Sequence, residues 1–266
     1  MDTGLRGKRA LVTGGGTGIG RSIALELAKE GVHVCVASRN PDPKTIGEIE
    51  ALGVRALRLC TDVSKEEQVV KMVKETIEGL GGLDLYVNNA AAHWDEPVTK
   101  VTTEGWQNSL DTNLSACVWA CREVARLFIS QGYGSILIVG STCMHTPLYK
   151  ETSYRVSKTG LKAYMEVLAV ELAPFGIRVN MLTPGYFPTR VSAHLARDRS
   201  KEKTVLDTIP LRRAGRLGKD IGPAAVFLLS DAVSAYTTGS EIVVDGGIRL
   251  RPLPYYSDEE IRQMNL

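Results

Sequence analysis

Short apolar runs alternate with helical stretches from one end of the chain to the other. Runs at 10–12, 32–36, 56–59, 83–87, 135–139, 177–181 and 241–244 are too short for helices, and several are apolar at consecutive positions. That is the pattern of strands buried on both faces of a parallel sheet. Between them, apolar residues recur at helical spacing, as in Ile19, Ile23 and Leu27, and again in Leu161, Met165, Leu168, Leu172 and Phe175. Strand and helix in strict alternation predict an α/β fold, a doubly wound Rossmann-type domain with a seven-stranded parallel sheet and helices on both faces. No linker, repeat or low-complexity segment interrupts it, so residues 1–266 are expected to form a single domain. The rhythm breaks at 186–216, which is polar and basic and carries Pro188 and Pro210. Function often resides in such a stretch.

Composition narrows the partners. Hydrophobic residues make up 44% of the 266 and charged residues 23%, enough apolar mass for a large core. A formal charge of +2 offers no footprint for nucleic acid or an anionic membrane. The amino terminus lacks the apolar stretch of a signal peptide, and no run approaches the roughly 18 apolar residues of a membrane span. A cytoplasmic location is expected. Five cysteines, Cys35, Cys60, Cys117, Cys121 and Cys143, are scattered without metal-ligand spacing, and His33, His93, His145 and His194 show none either. No metal is expected, although Cys117 and Cys121 stand four apart on a predicted helix.

Two motifs carry chemistry. Thr13-Gly14-Gly15-Gly16-Thr17-Gly18-Ile19-Gly20 follows the first strand and opens a helix, the context in which glycines let a backbone approach a pyrophosphate at a helix N-terminus. The strict G-x-G-x-x-G spacing is absent; the glycines that fit are Gly14, Gly18 and Gly20. Downstream, Tyr154 precedes Lys158 by one helical turn and follows Ser141 by thirteen residues. Bringing a phenol from a pKa of about 10 to about 7 takes roughly 4 kcal/mol. A cation about 4 Å away supplies about that much at an effective dielectric of about 20. Tyr154 is therefore expected to exchange protons near neutral pH, its pKa lowered by Lys158.

Together with Asn88-Asn89-Ala90, Asn113 and Pro184-Gly185, these motifs resemble the short-chain dehydrogenase/reductase family, in its order and at its spacings over residues 5–247. The resemblance reaches 3-oxoacyl reductases, gluconate and other sugar or polyol dehydrogenases, and tropinone reductase-like members. It implies hydride transfer between a nicotinamide and a carbonyl or secondary alcohol, with Asn113, Ser141, Tyr154 and Lys158 as the catalytic set. By the same likeness Gly14, Thr17, Gly18, Ile19 and Gly20 hold the pyrophosphate, and Asp62 and Val63 meet the adenine. Asn88, Ala90 and Ala91 lie near the adenine ribose, and Pro184, Gly185 and Thr189 near the nicotinamide. Ser38, Arg39 and Asn40 stand where an acidic residue would bind the 2'-hydroxyl of NAD; an Arg pairs with a 2'-phosphate instead, so NADP(H) is expected over NAD(H). His93, Trp94, Cys143, Tyr149 and Tyr186 are expected around the substrate, with His145 and Phe187. Family precedent further implies a substrate lid at 186–216 and a homotetramer, and the tail at 248–266 carries a capping-box pattern at Ser257-Asp258-Glu259-Glu260. The alternatives are an NAD-dependent sugar or polyol dehydrogenase and, from another class, a non-catalytic nucleotide-binding protein.

Overall fold

The computed structural model describes residues 2–190, 192–193, 197–250 and 263. Its centre is one parallel sheet of seven strands: β1 Arg9–Thr13, β2 His33–Ser38, β3 Ala56–Cys60, β4 Leu85–Asn88, β5 Gly134–Val139, β6 Ile177–Pro184 and β7 Glu241–Val244. They lie in the order β3-β2-β1-β4-β5-β6-β7, so the chain reverses its direction of travel between β1 and β4. A doubly wound sheet binds ligands at that reversal, outside the carboxyl ends of the strands. All seven expected strands are present, and the fold class is as read from the pattern.

Helices cover both faces because the strands are apolar on both. α1 Gly18–Lys29 and α2 Pro43–Glu50 lie on one side, with α3 Glu66–Leu80 on the other. α4 Thr103–Leu110 runs through a π-helical turn at Asp111–Ser115 into α5 Ala116–Gln131. α5 and the long α6 Thr152–Leu172 share the α3 side. α7 Arg199–Asp207 falls in the stretch after β6, and α8 Gly222–Leu229 joins α1. The stripe on α6 is buried at Leu161, Met165, Leu168 and Leu172, but Phe175 is 43% exposed. Pro174 ends the α-helix in a tighter turn, which moves Phe175 off the core face.

Cys117 and Cys121 are buried in the core, their sulfurs 3.8 Å apart. Among the described residues no group of three or more His, Cys, Asp or Glu stands close enough to hold a metal ion. None of their helices is long and apolar enough to cross a membrane. His194 and the capping-box pattern at Ser257 lie outside the described residues.

Candidate active site

The glycine-rich loop joins β1 to α1. Gly18 has φ +55, a conformation that side chains resist, and a Cβ on Gly20 would lie 2.4 Å from the Gly14 carbonyl oxygen. Gly20 therefore lets the helix touch the loop. Asn89 stitches this loop to the end of β4: its Nδ2 donates to the Thr13 oxygen at 2.9 Å, while the Asn89 and Ala90 amides donate to Thr13 Oγ1 at 3.0 and 3.1 Å. A cavity of about 1010 Å³ begins here and runs along the strand ends. Gly14, Thr17, Gly18 and Ile19 border it, as do Ser38, Arg39 and Asn40, then Asp62 and Val63, Ala90 and Ala91, and Pro184, Gly185 and Thr189. Two expected neighbours do not. Gly20 serves the close approach just described. The Asn88 side chain turns inward to accept from the Tyr86 hydroxyl at 3.1 Å, and Asn89 takes its place along the cavity.

At the other end of the cavity, β5 delivers Ser141 while α6 delivers Tyr154 and Lys158. Lys158 is only 2% exposed; its Nζ donates to the Val139 carbonyl at 2.8 Å and stands 5.9 Å from the centre of the Tyr154 ring. Burial penalises both charged forms. It pulls the Lys158 ammonium down to about 8 and pushes the Tyr154 phenol well above its ordinary value. For the phenol, the nearby Cys143 adds to the rise and contact with the Ser141 hydroxyl opposes it. The expected lowering of Tyr154 is thus reversed: burial raises the phenol, and Lys158, facing the ring at 5.9 Å, does not offset it.

Asn113 sits in the π-helical turn and is fully buried. Its Oδ1 accepts from the Ala92 amide at 2.7 Å, and its Nδ2 donates to the Ala92 oxygen at 2.9 Å and to Ser157 Oγ at 3.0 Å. Ser157 in turn donates to the Tyr154 carbonyl at 2.7 Å. One amide thus ties the loop after β4 to the helix turn that bears Tyr154. Ser157 carries no motif of its own and was not among the expected residues; its place one residue before Lys158 is the only signal.

Of the residues expected around the substrate, His93, Trp94, Cys143, Tyr186 and Phe187 border the cavity. Tyr149 does not: it is 98% exposed, beyond a loop turned away by the positive φ of Lys150 and by the Glu96 amide bonded to the Lys150 carbonyl at 3.0 Å. His145 also lies elsewhere, its Nε2 bonded to Glu241 at 2.6 Å. Glu151, an unexpected member, borders the cavity and bonds His93 Nε2 at 3.1 Å. That bond raises the His93 pKa, against the opposing effect of burial. The His93 ring meets Tyr154 edge-on, centroids 4.7 Å apart.

A sequence profile for the family described as Enoyl-(Acyl carrier protein) reductase matches residues 14–249. The chain is also 36% identical over 246 residues to the human "Dehydrogenase/reductase SDR family member 4", covering 91% of this chain and 88% of the relative. It belongs to the short-chain dehydrogenase/reductase family. Among solved structures, a Sinorhizobium meliloti 1021 protein provisionally assigned as a short-chain alcohol dehydrogenase superposes with a TM-score of 0.91 at 38% identity, covering 95% of this chain and all of the other. An Agrobacterium tumefaciens protein, provisionally assigned as a 2-deoxy-D-gluconate 3-dehydrogenase with bound NADP, gives 0.87 at 31% identity over 94% and 99%. An NAD+-bound xylitol dehydrogenase gives 0.86 at 29% over 91% and 99%.

Short-chain dehydrogenases bind NAD(P), and the cavity of this one fits such a dinucleotide. The first turn of α1 has no side-chain cap at Thr17, which leaves its amides for a pyrophosphate. Ser38 Oγ is buried without a hydrogen-bond partner among the described residues, 3.4 Å from where a Cβ on Gly16 would stand. A buried hydroxyl lacking a partner is costly, and a ligand oxygen here would satisfy it.

Proposed function

We propose that this oxidoreductase reduces a carbonyl group, or oxidises the matching secondary alcohol, with NADP(H), and that Tyr154 exchanges the proton. The observation that carries the reading is the convergence of Ser141, Tyr154 and Lys158 on one cavity continuous with the glycine-rich loop. A bound nicotinamide supplies or accepts the hydride. Tyr154, held neutral by burial, donates its proton to the oxygen that becomes the alcohol, while the Ser141 hydroxyl donates a hydrogen bond to the same atom. Lys158, anchored on Val139, places its charge where it steadies the phenolate left behind and meets the cofactor ribose. The π-helical turn around Asn113 frees backbone groups for a water path that returns the proton to Tyr154 through Lys158.

Arg39 supports NADP(H): it is exposed at the cavity edge, and among the described residues no carboxylate pairs with its guanidinium. The Agrobacterium relative's bound NADP agrees, while the NAD+-bound xylitol dehydrogenase keeps an NAD-linked sugar or polyol dehydrogenase as the second reading. Exposed Val118 on α5 and Val156, Val167 and Val170 on α6 supply an apolar face for the homotetramer we propose, and five free thiols suit the cytoplasm. The decisive test is Tyr154→Phe on a panel of ketones with both cofactors. It should lose about 10² to 10⁴ in kcat with cofactor affinity nearly unchanged. Near-normal turnover would remove Tyr154 from its role.

A further inference from the structure

The turn that follows β7 forms a wall of the cavity that no motif marks. Asp245 shapes it: Oδ1 accepts from the Gly247 amide at 2.8 Å and Oδ2 from the Arg249 amide at 3.0 Å. On one side the turn is wedged against the end of the 186–216 stretch. A Cβ on Gly247 would lie 2.8 Å from Pro210 Cγ, and the Leu211 amide donates to the Gly246 oxygen at 3.2 Å. On the other side Thr146 Oγ1, from the loop after Ser141, donates to the Arg249 oxygen at 3.2 Å. Ile248 is held between them and borders the cavity.

Two further apolar side chains border the same space: Leu148 from the Thr146 loop, left 46% exposed, and Val205 from α7. Each comes from a different segment, and the turn joins two of the three. We propose that Ile248, Leu148 and Val205 form an apolar subsite beyond the reacting centre, and that the preferred substrate is a ketone or secondary alcohol bearing an apolar arm. The inference rests on the carbonyl-reductase reading above. Covering Leu148 and Ile248 with an apolar arm removes hydrocarbon from water on both partners, whereas a polyhydroxylated arm would set hydroxyls against these three side chains, which cannot bond them.

The test uses the full-length protein with NADPH and with NADH, and methyl ketones that lengthen one methylene at a time. A hydroxylated ketone of equal length accompanies the longest. kcat/KM should rise about fourfold per methylene, the equivalent of about 0.8 kcal/mol, until the subsite is full. Ile248→Trp should lower the ratio of longest to shortest ketone at least tenfold, and Ile248→Ala should move the best arm to a longer one. A flat series in an active enzyme, preference for the hydroxylated ketone, or an Ile248→Trp loss equal at every length would overturn the subsite and leave the reductase reading standing. No turnover of any ketone with either cofactor would overturn both. If thermal melting shows that the Trp variant does not fold, the Ala variant decides: an unchanged length profile refutes the proposal.

Discussion

Replacing Lys158 by Met should make the protein more stable and inactive. The ammonium is 2% exposed and its pKa falls from 10.5 to about 8, with burial as the main cause. At about 1.4 kcal/mol per pKa unit, keeping it charged inside the fold costs about 3 kcal/mol. The folded state holds this proton less tightly than the unfolded one, so the cost is fully present below about pH 8. It fades as pH rises toward the unfolded value of 10.5, and by pH 10 less than about 1 kcal/mol is left. Met has similar length and no charge, but it leaves the Val139 carbonyl, now bonded at 2.8 Å, without its donor. That loss is about 1 to 2 kcal/mol at every pH.

The net gain at pH 7 is then about 1 to 2 kcal/mol, which in a chain of this size raises Tm by about 2 to 6 °C. At pH 10 the sign should reverse, because only the unpaired carbonyl remains. Thermal melting of cofactor-free wild type and Lys158→Met from pH 6.5 to 10 checks this, with ketone reduction assayed alongside. A variant that is less stable by the same amount at pH 7 and pH 10 would show that Lys158 carries no burial cost. Desolvation would then account neither for the lysine nor for the neutral phenol beside it.

Arg39→Asp should turn cofactor preference around, since a carboxylate repels a 2'-phosphate and accepts from a 2'-hydroxyl. With a charge-assisted bond worth about 1.5 to 3 kcal/mol, the wild-type ratio of kcat/KM for NADPH over NADH should be about ten- to more than a hundredfold. A ratio that the substitution leaves unmoved would hand the site to NAD. Asn113→Leu removes the bonds to Ala92, Ser109 and Ser157 at once. It should cost about 2 to 4 kcal/mol in urea unfolding and lower kcat; unchanged stability would mean that the π-helical turn holds itself.

The strands were legible because a parallel sheet covered on both faces demands apolar residues at consecutive positions, and β5 and β6 are buried along their whole length. The reacting groups were legible for a similar reason: four residues on a helix is one turn, so Tyr154 and Lys158 had to share a face. The inward turn of Asn88 is also written in the sequence. Side chains two apart on a strand share a face, Tyr86 is buried in the core, and Asn88 follows it there. The two-residue period of a strand therefore gives the cavity to Asn89. The positions of Tyr149 and Glu151 are not legible locally, since nothing in that loop says which way it faces. Its path is set by the bridge between Glu96 and Glu151, residues distant in sequence. The phenol pKa depends on the same kind of distant packing, on a larger scale. Charge and spacing are written along the chain, but the loss of water around Tyr154 and Lys158 comes from every element that closes over them. Sequence spacing reports the attraction between the two groups without the desolvation that opposes it. Desolvation prevails, and it leaves Tyr154 holding the proton that the proposed carbonyl reduction requires.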